Sequence, residues 1–97
     1  MTGWNIVIQK ERESVSTWTF HVRLRDDGRS FEYRVGVDKH KGLAHTGVSP
    51  RILVQESMLF LLEREPPEAI LAEFDLKDIS SYFPEYDEVI KERIGRL

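Results

Sequence analysis

Between Thr17 and Asp38 the chain alternates apolar and polar residues in two long runs, and this constrains the fold more than any other feature of its 97 residues. Trp18, Phe20, Val22 and Leu24 interleave with Thr17, Thr19, His21, Arg23 and Arg25. Phe31, Tyr33, Val35 and Val37 interleave with Glu32, Arg34, Gly36 and Asp38. A period of two, rich in β-branched and aromatic types, belongs to strands that bury one face. Asp27-Gly28 between the runs supplies a tight hairpin turn, because glycine accepts the positive φ such a turn needs. Pairing Arg25 with Ser30 sets Leu24 against Phe31, Val22 against Tyr33, Phe20 against Val35 and Trp18 against Val37. Arg23 then faces Glu32 on the opposite side. A one-residue slip would expose the whole apolar set, so pattern and turn chemistry select one register.

Trp4, Ile6 and Ile8 form a shorter alternating run, and the polar stretch Lys10 to Ser14 reads as its connection to the hairpin. That connection places Ile8 opposite Trp18, Ile6 opposite Phe20 and Trp4 opposite Val22. The expected sheet is a three-stranded antiparallel meander, or four-stranded if an edge strand forms near Gly42 to His45. Its apolar face needs a cover, which the second half supplies.

Ser49-Pro50 has the chemistry of a helix start and predicts a helix from about Pro50 to Arg64, with Ile52, Leu53, Leu59, Phe60 and Leu62 as core residues. Pro66-Pro67 must end it. Pro67 to Phe74 suits a short helix carrying Ile70, Leu71 and Phe74, and Asp75 caps a further segment from Leu76 to Phe83. A last helix runs from about Pro84 to Ile94 through Tyr86, Val89 and Ile90, with Gly95 placed to stop it. The expected architecture is therefore a single α+β domain over residues 1–97, with strands at about 4–45 and three to four helices at about 50–94 packed on one sheet face. This length supports one core without disulfides or a structural metal.

The stretch LVQESMLFLLEREPPEAILAEFDLKDISSYFPEY, Leu53 to Tyr86, resembles a family of small uncharacterised prokaryotic proteins. In that family a Phe/Leu-rich helix runs into an Arg-Glu-Pro break and a Tyr-Phe-Pro-Glu-Tyr end. The resemblance covers about a third of the chain, implies a prokaryotic source and brings no activity or catalytic residue with it.

Function classes narrow by exclusion. With no cysteine the chain has no disulfide, thiolate metal ligand or cysteine nucleophile, which leaves the cytoplasm as the expected compartment. The N-terminus lacks the charged start and apolar run of a signal peptide, and the longest apolar run, Met58 to Leu62, is far too short to cross a membrane. The net charge of −3 conceals an asymmetry: residues 1–54 carry nine Lys/Arg against six Asp/Glu, and residues 55–97 carry five against eleven. A mildly acidic whole opposes tight non-specific nucleic-acid binding, yet the basic half can steer an anion to one face.

Two basic regions are candidate binding sites. Lys39, His40, Lys41, His45, Thr46 and Arg51 lie around the start of the Ser49-capped helix, where free N–H groups favour anions. Gly42 and Gly47 have phosphate-loop spacing, but Val48 stands where the lysine should be. His40 and His45 supply too few ligands for a metal, and no cofactor is expected. The second region is the polar sheet face: Thr17, Thr19, His21, Arg23, Arg25 and Arg34. Basic sheets that bind single-stranded nucleic acid also need aromatics on that face, and here Trp18, Phe20, Phe31 and Tyr33 point the other way. The carboxylate clusters Glu63 to Glu68 and Glu85 to Glu92 sit where surface helices carry charge anyway, and no activated nucleophile accompanies them. The sequence thus favours a non-catalytic protein-interaction module, self-associating or bound to a partner through the Trp4 to Gln9 sheet edge, the apolar sides of its helices or the acidic last helix. The alternative is weak single-stranded nucleic-acid or anion binding by His21, Arg23, Arg25, Arg34, Lys39, Lys41 and Arg51.

Overall fold

The computed structural model describes residues 4–40 and 48–96. Three antiparallel strands come first: β1 (Asn5–Glu13), β2 (Thr17–Asp26) and β3 (Arg29–Asp38). The β2–β3 register is the expected one, with Trp18, Phe20, Val22 and Leu24 opposite Val37, Val35, Tyr33 and Phe31. Asp27 and Gly28 take φ values of 40° and 86°, the left-handed pair that turns the hairpin.

β1 departs from expectation. Ile8 lies opposite Val22, and Ile6 opposite Leu24, four residues further along β2 than the sequence suggested. The slip is even, so the same side chains stay on the core face, and alternation cannot discriminate between the two registers. Lys10 to Glu13 is therefore strand, and the turn follows it. Ser14 closes that turn: its N–H donates to the Thr17 carbonyl at 2.8 Å, and its Oγ accepts the Thr17 N–H at 3.1 Å. Around Glu11 the ladder slips by one residue. This bulge reverses the alternation and sets Glu13 opposite Trp18, on the core side of the sheet.

Helix α1 (Pro50–Leu62) crosses the apolar face. Leu53, Val54, Ser57, Met58, Phe60 and Leu61 are buried, whereas Ile52 is exposed and Leu59 and Leu62 are only partly covered. Met58 to Leu62 is apolar all round, so sequence alone could not fix which stripe points inward. At its C-terminal end, Phe60 meets Phe83 and Tyr86 edge-to-face, with centroids 5.9 and 5.3 Å apart.

The expected helix over Pro67 to Phe74 does not form. Pro67–Ala69 makes one 3₁₀ turn, held to the sheet where the Tyr33 hydroxyl donates to the Pro67 carbonyl at 2.6 Å. Extended chain follows, and β4 (Glu73–Asp75) pairs with β3 in parallel, so the four-stranded sheet has order β1-β2-β3-β4 and is mixed. The 3.6-residue spacing of Ile70, Leu71 and Phe74 was misleading because a crossover must return to the sheet, and Phe74 reaches the core as a strand residue opposite Val35. The edge strand expected near Gly42 to His45 lies outside the described residues.

Asp75 starts the next segment as anticipated. Its N–H bonds to Asp78 Oδ2 at 3.3 Å in a capping box, ahead of a 3₁₀ turn (Leu76–Asp78) and the short α2 (Ile79–Tyr82). Helix α3 (Tyr86–Gly95) buries Tyr86 and Ile90 against α1. The helices cover one face of the sheet, and the strand residues on the other face are polar apart from Val7 and Gly36. Among the described residues, no helix is long and apolar enough to cross a membrane.

Candidate functional site

The open sheet face carries the expected cations, but carboxylates hold most of them. Arg34 makes a two-pronged contact with Glu11, Nε to Oε2 at 2.7 Å and Nη2 to Oε1 at 3.2 Å, and reaches Glu73 at 3.5 Å. The bond from Arg34 holds the Glu11 carboxyl below the ordinary carboxylate range. His21 Nε2 lies 2.7 Å from Glu32 Oε1, and Arg23 approaches the same oxygen at 3.9 Å. Arg25 is exposed, between Asn5 and Ser30, and makes no ion pair among the described residues. Phosphates would have to displace Glu11, Glu32 and Glu73 from cations already neutralised. The aromatics point away from this face, as the sequence indicated: Phe20 and Tyr33 are buried beneath it, and Trp18 and Phe31 are half-buried against the core.

A polar hollow of about 640 Å³ spans this face from β1 across β2 and β3 to β4, where Glu11, Glu73, Asp75 and Asp78 surround Arg12 and Arg34. Asp75 fills part of it, which is why residue 36 is glycine: a Cβ there would lie 2.0 Å from Asp75 Oδ1. The mixed signs leave no concentrated field for a polyanion.

The described residues of the second basic region, Lys39, His40 and Arg51, do not converge on one site. Lys39 turns back to the hairpin, donating to Glu13 Oε2 at 2.5 Å and to the Ser14 carbonyl at 2.7 Å, with its ammonium 5.2 Å from the Trp18 ring centroid. Hydrogen bonds from Lys39 and then Lys10 bring the Glu13 carboxyl down to about 2. Arg51 lies at the sheet edge, where Nη2 donates to the Ile8 carbonyl at 2.5 Å. His40 closes a turn through its N–H to Asp38 Oδ1 at 2.8 Å. Lys41, His45 and Thr46 lie outside the described residues. Among the described residues, no three His, Cys, Asp or Glu side chains converge as a metal-ligand set.

Arg51 also alters the edge expected to self-associate. Its guanidinium occupies an outward carbonyl in the middle of β1, one of the groups a second strand would need.

The feature the sequence did not reveal lies at the opposite end of the sheet. Where β4 meets α2, an open cleft of about 220 Å³ runs between the end of α1 and the chain around α2. Leu61, Ile70, Phe74, Ile79 and Phe83 form its walls, Glu65 and Asp78 add two carboxylates, and Leu71 and Tyr82 stand beside it, 58% and 69% exposed. Each wall residue reads as ordinary core in sequence, since four separate segments contribute them. The available signal was a surplus: Leu71 and Tyr82 are large side chains with no core position left to fill. No family model matches the chain, and no curated protein or solved structure matches it.

Proposed function

We propose that this chain is a non-catalytic cytoplasmic domain that binds another protein through the cleft beside β4. The observation that carries the proposal is the pair of exposed side chains, Leu71 and Tyr82, flanking an apolar concavity. Exposed apolar surface around a concavity is characteristic of binding sites, and tyrosine is enriched where proteins meet. Small-molecule sites usually enclose about 300–1,000 Å³, and this open cleft has about 220 Å³, which suits anchoring side chains better than an enclosed substrate. The absence of cysteine favours a reducing compartment. Nucleic-acid binding by the sheet face ranks lower because Glu11, Glu32 and Glu73 occupy its cations, and dimerisation through β1 ranks lower because of Arg51.

Co-purification from the source cells with three tagged forms tests this proposal. A partner should accompany the wild type and a Val15→Glu control, whose site is 91% exposed in the β1–β2 turn, and should be lost with Leu71→Glu. Retention of the same partner by Leu71→Glu, or the absence of any partner, would overturn the proposal.

A further inference from the structure

Building on the protein-binding reading, we infer that the cleft takes an extended segment of a partner chain, which pairs its backbone with the edge of β4 that is unpaired among the described residues, seats an apolar side chain in the cleft and carries lysine or arginine beside it. The backbone argument comes from the β3–β4 ladder. Arg34 N–H donates to the Ala72 carbonyl at 2.7 Å, and Arg34 and Gly36 stand opposite Glu73 and Asp75. In a parallel ladder with this phase, residues 72 and 74 bond to β3, so the N–H and C=O of Glu73 point out of the sheet. The outward N–H of Asp75 is already taken by Asp78. Glu73 therefore offers an open donor and acceptor, and the neighbouring Phe74 side chain lines the cleft. A strand added here sends its core-side residues into that cleft.

Charge selects the segment. No lysine or arginine lines the cleft, whereas Glu65 and Asp78 do, and neither is ion-paired to a cation among the described residues. Residues 55–97 carry eleven Asp/Glu against five Lys/Arg, so the surrounding field has the same sign. A second copy fits less well. Its own edge strand, β1, carries Glu11 and Glu13 as well as Lys10 and Arg12 and so lacks the complementary charge; it would also meet β4 head-to-tail, and such a contact builds open filaments unless its rotation closes a ring.

The test uses a defined probe, an acetylated seven-residue peptide of alternating lysine and valine with phenylalanine at its centre, titrated into the ¹⁵N-labelled chain. The expected result is amide shifts centred on Glu73 and spreading to Leu71, Asp78 and Tyr82, with affinity falling as salt rises. The glutamate counterpart and a backbone N-methylated form should bind far more weakly, and Glu65→Lys should weaken the basic peptide by about tenfold. Equal binding of the glutamate or N-methylated peptide, shifts confined to β1 or the sheet face, or self-assembly of the chain alone through β4 would each overturn the inference. If the basic peptide leaves the cleft unmoved while Leu71→Glu still loses the co-purified partner, the extended basic occupant is wrong and the protein-binding reading survives.

Discussion

Single residues explain why certain side chains could not be read in advance. The bulge at Glu11 adds one residue to β1, and one residue is enough to move Glu13 from the polar face to the Trp18 side, where Lys39 meets it. Lys39 thus serves the hairpin and not an anion site. Sequence gives no sign of such a bulge, because both strands remain extended on either side of it. The buried pair Ser57 and Tyr86 is a second case. Ser57 Oγ donates to the Leu53 carbonyl at 2.7 Å, so the Tyr86 hydroxyl, 2.6 Å away, must be the donor to Ser57. Ser57→Ala leaves that hydroxyl buried without a partner and should cost about 1–3 kcal/mol in denaturant unfolding. Adding Tyr86→Phe removes the orphan and should recover part of the loss; a double variant less stable than Ser57→Ala would contradict the assignment.

Elements were legible where two independent signals agreed. The β2–β3 hairpin had both a turn dipeptide and four matched apolar pairs, and its register is as expected. β1 had alternation alone, which cannot distinguish shifts by an even number of residues, and β4 has three residues, too few for any period to register. A disulfide test checks the β1 register on the exposed face: Val7→Cys with Arg23→Cys should oxidise readily, since these residues are partnered, whereas Val7→Cys with Thr19→Cys should not. Phe20 in β2 and Phe60 in α1 are 3% and 0% exposed. Truncating either to alanine should cost about 3–5 kcal/mol. Arg23→Ala should change stability by about 1 kcal/mol or less, because its 3.9 Å approach to Glu32 is solvent-exposed. Thermal melts of the three variants separate core from surface, and an unaffected Phe20→Ala would mean the sheet is inverted. The cleft stayed hidden at this scale because its walls come from α1, the Pro67 turn, β4 and α2, and no single element shows a binding pattern.

Across the whole molecule, titratable groups define the pH range of stability. Glu13 is lowered from 4.5 to about 2, so its bonds to Lys39 and Lys10 contribute fully above pH 4.5 and are lost as pH falls towards 2. Burial raises the Tyr33 and Tyr86 hydroxyls from 10 to about 12, with the charges of Glu68 and Asp87 adding to it. A raised folded value reverses the direction: the stability these tyrosines give is intact below pH 10 and fades as pH rises towards 12. The Tm profile should therefore be flat between the two limbs. Tyr86→Phe should soften the alkaline fall, while Glu13→Gln changes the acid one slightly because the carboxylate is solvent-screened. An alkaline limb unchanged by Tyr86→Phe would contradict this assignment.

The acidic half of the chain and the β4 edge, unpaired among the described residues, converge on one cleft, and the protein-binding proposal rests on that convergence. Photo-crosslinking in the source cells measures this most directly, with a benzophenone amino acid placed at Tyr82 and, separately, at Val15 as the remote control. The account predicts one discrete crosslinked partner from position 82, abolished by Leu71→Glu, and none from position 15. The same products from both positions, or none from position 82, would contradict it.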